Sequence, residues 1–216
     1  MTTTLSEADS KALLAPFGIP IAPELTASDP DAAVSAATEI GLPVVLKLCG
    51  DRIAHKTERG LVRLNLGDTA AVRAAAVELL AAASDADGIV SLLVAPMIRG
   101  NRELIAGLNR DEQFGMTVMV GIGGVLAEAL SDVAVGLVPI TRSEALDLVD
   151  DLANEALLGE FRGEPAIDRA ALADVLVGLS DAAVANPRIV SADLNPLIVV
   201  DGRPVAVDAL VEVVDR

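Results

Sequence analysis

His55 is the only histidine of the chain, and it sits in LKLCGDRIAHKTERGLVRL, residues 46–64. Five of the 16 Lys and Arg residues fall in that window: Lys47, Arg52, Lys56, Arg59 and Arg63. The whole chain carries 32 acidic residues and a formal charge of −16, so the window reverses the sign of its surroundings. A neutral imidazole is a competent nucleophile, and beside a phosphate it can form a phosphoimidazole. Gly50 and Gly60 bracket the loop, whose N–H groups together with Lys and Arg suit an anion such as phosphate. No G-x-x-x-x-G-K-[ST] loop is present. A surface hairpin with solvated charges and an incidental histidine accounts for the same residues.

Three further stretches carry residue types fit for chemistry. GIGGVLAEAL, residues 121–130, places three glycines in four positions, which lets the backbone approach a ligand. A bulge or tight bend uses the same glycines, with Glu128 facing solvent. In ADLNPLIVVDGRPVAVDAL, Asp193 and Asn195 lie on the first strand of a hairpin closed by Asp201-Gly202, and Asp208 lies on the second. That pairing predicts Asn195 and Asp208 close together on one sheet. A carboxylate and an amide oxygen are hard donors suited to Mg²⁺, which keeps its waters and binds nucleotide phosphates. A hairpin with polar edges, and a turn at the Asn-Pro pair, is the plainer reading. Glu103, in VAPMIRGNRELIAGL, follows a strand and a turn, where a carboxylate can accept two ribose hydroxyls or simply be solvated.

These groups must be held by regular elements. Ser6 predicts a helix over 6–17, ended by Gly18 and Ile19-Pro20. Asp29 and Pro30 open a second helix that Gly41 and Pro43 stop at residue 40. PVVLKL is a short apolar run between turn residues, read as a buried strand, and LVRLNL as a second strand after the histidine loop. Asp68 caps an alanine-rich helix that ends near Ser84. GIVSLLVAPMI, ELIAGLN and TVMVGI predict three strands of one antiparallel sheet, with VAVGLVPI as a fourth. Helices over about 143–158 and 168–185 follow, joined by GEFRGEP, before the closing Asp-Gly hairpin. The layout is α+β, in two lobes with a cleft between them.

The composition excludes several partners. A charge of −16 opposes nucleic acid and anionic membranes, and with no Trp, no Tyr and three Phe there is no aromatic platform for stacking bases. No apolar run approaches the roughly 20 residues that cross a bilayer. The start, MTTTLSEADSK, lacks a basic region followed by an apolar stretch, which predicts no secretory signal. One cysteine, Cys49, permits no internal disulfide and predicts a cytoplasmic protein.

Taken in order, PVVLK…HKTERGLVRLNL, NRELIAGLNRDEQFG, VMVGIGGVLAEAL and ADLNPLIV…VDA resemble the ATP-grasp domain of the NDP-forming acyl-CoA synthetases, relatives of the succinyl-CoA synthetase β chain, from about residue 5 to 214. The resemblance implies a single ATP-grasp domain with one lobe over about 20–94, a second over about 1–19 plus 95–216, and a nucleotide cleft between them. It implies that Lys47 neutralises the phosphates of ATP or ADP, that main-chain groups of Ala95, Pro96 and Met97 read the adenine edge, and that Glu103 holds the ribose. Gly123 and Gly124 would lie beside the phosphates, and Asn195 and Asp208 would hold Mg²⁺. His55 matches the histidine that takes a phosphoryl group and passes it to ADP. The chain departs from the family at one position, because Gly60 is followed by Leu61 where many relatives have two adjacent glycines.

The implied activity is that of an ADP-forming acid–CoA ligase, acyl-CoA + ADP + phosphate ⇌ carboxylic acid + CoA + ATP. The implied partner is an α-type CoA-binding subunit with a histidine of its own, since this chain has no second histidine and no G-x-G-x-x-G after a strand. Two rival readings remain at this stage. One is a different ATP-grasp carboxylate ligase that forms an acyl phosphate directly, against which the histidine loop argues. The other is a non-catalytic nucleotide-binding regulatory module, which the Gly60-Leu61 pair leaves open.

Overall fold

The computed structural model describes residues 2–50, 53, 59–124 and 131–214. Their contacts divide the chain into two compact units. One comprises Thr4–Ala8 and Ala22–Ile98, and the other Met1–Thr3, Asp9–Ile21 and Arg99–Arg216. Helix α1, Glu7–Leu14, contributes residues to both. Pro16 cannot continue that helix, so the chain tightens into a 3-10 turn, Ala15–Phe17, closed by Gly18 at φ 76°.

The unit built on Ala22–Ile98 holds strands β2 (Leu25–Ala27), β3 (Val44–Gly50), β4 (Val62–Leu66) and β5 (Val90–Pro96) in the order β2-β5-β3-β4. β3 lies antiparallel to both β4 and β5. Helices α2 (Pro30–Ile40) and α3 (Thr69–Ala81) start where their caps predict. Asp29 Oδ1 accepts the Ala32 N–H at 2.9 Å, and Asp68 Oδ1 accepts the Ala71 N–H at 2.8 Å. Their alanines, among them Ala33, Ala37 and Ala76, are small enough to let the two helices sit close over Leu46, Leu48, Leu92 and Val94. Each fully buried leucine there is worth about 1.5–3 kcal/mol. All seven residues of β3 are buried, including Lys47.

The other unit is a seven-stranded sheet. Its strands are β1 (Thr2–Thr4), β6 (Glu103–Asp111), β7 (Gly115–Ile122), β8 (Val133–Leu137), β9 (Ile189–Val200), β10 (Arg203–Ala206) and β11 (Leu210–Val214). The order is β1-β11-β9-β6-β7-β8, with β10 also paired to β9. Helices α4 (Arg142–Asp150) and α6 (Arg169–Ala185) pack on each other and on this sheet. Leu104, Ala106, Leu108, Ala192, Leu194 and Leu197 are buried. They alternate with exposed Glu103, Asp193 and Asn195, which the period-2 pleat turns to the opposite face.

Four expectations require correction. β5 does not join β6 and β7, because its seven residues pair with β3, and the sheet changes at the turn that follows Pro96. The helix expected over 143–158 is two, α4 and α5 (Glu155–Leu158). The Asp132 carboxylate captures the N–H groups of Ala153 and Asn154 and the Asn154 side-chain amide, which takes those donors out of a continuous helix. The Asn195-Pro196 pair is no turn but lies inside β9. Asp208 is not on a strand, since it falls between β10, which ends at Ala206, and β11, which begins at Leu210. The Asp201-Gly202 turn forms as expected, with φ of 49° and 81° at its two residues.

Candidate functional site

Glu103 opens β6 on the face away from the helices, and a cavity of about 350 Å³ surrounds it. Gly123, Gly124, Phe161 and Arg162 line the same cavity. The glycines are there for space. Gly123 donates its N–H to the Glu103 carbonyl at 2.8 Å, and a Cβ on it would meet that backbone at 3.0–3.1 Å. Gly124 takes φ +77°, and its Cβ would come within 3.4 Å of Glu103 Oε2. The immediate neighbour of the glycine pair is therefore the acid of the ribose assignment.

The wall beyond Glu103 is held by its neighbours in sequence. Arg102 is buried and donates from Nη1 to the carbonyls of Leu157 and Gly159 at 3.2 and 2.7 Å, and from Nη2 to that of Pro165. Glu164 Oε1 accepts from the Asn101 N–H and side-chain amide at 3.0 and 2.7 Å. The Asn101 N–H, then its amide and Arg102, hold the Glu164 carboxyl below its ordinary range against the opposing cost of burial. Phe161 and Arg162 are carried on the segment so fixed, with the guanidinium 5.2 Å from the ring centroid.

Asn195 and Asp208 come together at the gap between β10 and β11, opposite β9. The Val207 N–H reaches the Pro196 carbonyl at 3.3 Å, and buried Lys11 Nζ donates to the Val207 carbonyl at 3.2 Å, steadying the residue before Asp208. A third acid joins them. Desolvation and then the charge of Asp208 push the Asp193 carboxyl up, while a hydrogen bond from the Asn195 side chain acts the other way. Two carboxylates and an amide oxygen gather at this place, a set of hard oxygen donors that fits a divalent cation. Among the described residues no group of three or more His, Cys, Asp or Glu side chains is arranged to hold a metal by itself. Mg²⁺ needs no such cage, because it takes one or two protein ligands and fills the rest of its shell with water and phosphate.

Lys47 is found on β3 with its Nζ 2.7 Å from Glu7 Oε1, an ion pair buried at both ends. Ala95 and Pro96 close β5 and Met97 follows. The Met97 N–H donates to the Pro43 carbonyl, and the Pro96 carbonyl accepts from the Ile98 N–H, each at 3.0 Å. Gly60 takes φ +66°, and Leu61 after it is buried with its carbonyl accepting from the Leu48 N–H at 3.0 Å. The departure at position 61 thus serves the core. His55, with Arg52, Lys56 and Glu128, lies outside the described residues.

The structure therefore brings Glu103, Gly123 and Gly124 to one cavity and Asn195 with Asp208 to one gap, all in one unit. Lys47 and Ala95–Met97 belong to the other. Sequence reasoning named Asp193 on the hairpin without giving it a role, and passed over Glu7, Asp87 and Arg102. Asp193 had a usable signal, since it precedes Asn195 by two on a strand and must share its face. The other three act through residues distant in sequence.

Comparison with known proteins gives a consistent result. A family model described as an ATP-grasp domain matches residues 1–213. The β subunit of acetate–CoA ligase (ADP-forming) I from Pyrococcus furiosus is 34% identical over 209 residues, covering 95% of this chain and 90% of that one. Acetate–CoA ligase (ADP-forming) I from Archaeoglobus fulgidus is 37% identical over 207 residues, 93% of this chain but only 30% of that protein. A dinucleotide-forming acetyl-coenzyme A synthetase from Ca. Korarchaeum cryptofilum, solved with coenzyme A and Mg-AMPPCP, superposes with a TM-score of 0.84 at 34% identity, covering 98% of this chain and 93% of that one. Its phosphohistidine segment points towards the nucleotide binding site. In a second structure of that protein, TM-score 0.85 at 32% identity over 98% of this chain and 94% of that one, the phosphorylated segment takes its site I orientation.

Proposed function

The chain belongs to the ATP-grasp family, and from that premise we propose that it is the nucleotide-handling, β-type part of an ADP-forming acid–CoA ligase. The reaction is acyl-CoA + ADP + phosphate ⇌ carboxylic acid + CoA + ATP, with the phosphoryl group passing through His55. The observation that carries this reading is the shared sheet face. Glu103 opens β6 beside its glycine pair, and Asn195 lies on the adjacent strand β9 opposite the gap that holds Asp208, so the proposed ribose and metal residues belong to neighbouring strands of one sheet.

Each residue has a distinct task. Glu103 accepts hydrogen bonds from the ribose hydroxyls, and Gly123 and Gly124, set against Glu103, leave room for the nucleotide where its sugar meets the phosphates. Main-chain atoms of Ala95, Pro96 and Met97 meet the base. Lys47 meets the phosphates. Asn195 and Asp208 would hold Mg²⁺, with Asp193 beside them. Bound there, the ion supplies charge neutralisation to the polyphosphate oxygens. The His55 ring nitrogen bonds the γ-phosphorus as the bond to the β-phosphate oxygen breaks with its electron pair on ADP. The other ring nitrogen keeps its proton. The basic residues around His55 offset the repulsion between the phosphorylated ring and the nucleotide.

The acyl and CoA chemistry belongs to a partner, an α-type CoA-binding chain in the cytoplasm. This reading is supported by the Archaeoglobus relative, in which the matched region is under a third of the length. Among the described residues no helix is long and apolar enough to cross a membrane. The test is to assay the purified chain with acyl-CoA, ADP, phosphate and Mg²⁺, alone and with the CoA-binding chain. ATP is expected only from the pair. Enzyme-like ATP production by this chain alone would refute the partner requirement.

A further inference from the structure

The two chain ends that flank His55 meet at a single residue, Asp87. It closes the 3-10 turn Asp85–Asp87 and is 2% exposed. Its Oδ1 accepts from Arg59 Nη1 at 2.7 Å and its Oδ2 from Arg59 Nη2 at 3.1 Å, a two-pronged pair. Oδ2 also accepts from the Ser84 N–H at 2.8 Å and the Ser84 hydroxyl at 2.9 Å. The carboxylate is thereby fixed to its own turn before it receives the arginine. On the other side of the loop, β3 ends at Gly50, where a Cβ would stand 2.9 Å from the Asp87 carbonyl oxygen. The Gly50 carbonyl accepts from the N–H of Ile53, whose side chain is buried beside it.

One end is held by charge and the other by close packing, and the two holds differ from an ordinary surface ion pair. A bidentate guanidinium–carboxylate contact fixes distance and plane together, whereas a single exposed pair fixes neither. Phosphoryl transfer depends on placing the nucleophile in line with phosphorus, and an error of about 1 Å can cost on the order of 100-fold in rate. The segment between Gly50 and Arg59 carries the nucleophile, so the place from which it departs and the place to which it returns matter to the chemistry.

We propose that Asp87 is a positioning residue for phosphoryl transfer, setting through Arg59 and Gly50 the two ends of the segment that presents His55 to the nucleotide. The proposal rests on the assignment of His55 as the phosphoryl carrier. It concerns the described residues Gly50, Arg59, Ser84 and Asp87, and Asp87 touches no reacting atom.

The experiment follows label from γ-labelled ATP onto the full-length chain in Mg²⁺, with Mg-ATP affinity measured in parallel by calorimetry. Arg59→Gln is expected to slow labelling by about tenfold or more while Kd stays within about threefold. Arg59→Lys, which keeps the charge and loses the fork, should fall between this variant and wild type. Gly50→Ala should slow labelling likewise, because its methyl group drives against the Asp87 carbonyl. Asp87→Asn combined with Arg59→Gln should lose no more than the worse single change, as expected of residues acting as one unit. The Arg59 variants alone decide the matter if Asp87→Asn does not fold. Wild-type labelling rates in both Arg59→Gln and Gly50→Ala would overturn the proposal, and so would a loss expressed wholly in Kd. A wild-type chain that takes no label would instead remove the His55 assignment, and this inference with it.

Discussion

Lys47 Nζ lies 2.7 Å from Glu7 Oε1, and the two side chains are 9% and 0% exposed. A lysine assigned to polyphosphate is therefore already held by a buried carboxylate at the start of α1. Removing one partner of such a pair strands the other charge, at a cost of about 3–5 kcal/mol, whereas replacing both with apolar groups is often neutral. Lys47→Met should lower both melting temperature and nucleotide affinity, the latter with Mg²⁺ and with EDTA alike. Adding Glu7→Leu should restore most of the stability and none of the affinity. Calorimetry on the double variant is the check, and recovered binding would contradict a phosphate contact by Lys47.

Asn195 and Asp208 act on the nucleotide through the ion in this account. Asp208→Asn and Asn195→Ala should each weaken nucleotide binding by about tenfold, or ~1.4 kcal/mol, in Mg²⁺ and far less in EDTA. Equal losses under the two conditions would remove them from the metal site.

Asp87 gives the fold a defined response to acid. Arg59 foremost, then the Ser84 N–H and hydroxyl, hold its carboxyl far below the usual carboxylate range. An unfolded aspartate, with a pKa of about 3.9, binds protons that the folded one refuses. The stabilisation is therefore complete above that value and drains away as pH falls below it. The gap in melting temperature between wild type and Asp87→Asn should stay constant from about pH 7 to 5 and shrink below about pH 4. Thermal melts across that range test it, and a gap that widens in acid would reverse the sign of the argument.

Local signals in the sequence were strong where the physics is local. Asp29, Asp68 and the Asp201-Gly202 turn place two helix starts and one hairpin because caps and tight turns depend on a few adjacent residues. Strand existence was legible for β3, β6, β7 and β9, and so was the pairing of β6 with β7 and of β9 with β10, but not the partner of β5. The apolar run of β5 reads the same whether it pairs with β6 or, as found, with β3. The break between α4 and α5 depends on Asp132, some twenty positions earlier, and no periodicity within the helix announces it. At the site, residue types and spacing singled out Glu103, Asn195 and Asp208, the resemblance chose between their open readings, and the pleat explains why Asp193 shares a face with Asn195. Glu7, Asp87 and Arg102 were invisible for one reason: each works through a partner 28 or more positions away.

The phosphoryl carrier is the centre of the account, and one measurement reaches it directly. The purified chain is incubated with γ-labelled ATP and Mg²⁺, digested, and the label is traced to a peptide. The account predicts an acid-labile label on the peptide containing His55, discharged as ATP when ADP is added, and absent from His55→Ala while Mg-ATP affinity stays within about threefold. Label that persists in His55→Ala, or a wild-type chain that binds Mg-ATP and is never labelled, would contradict it.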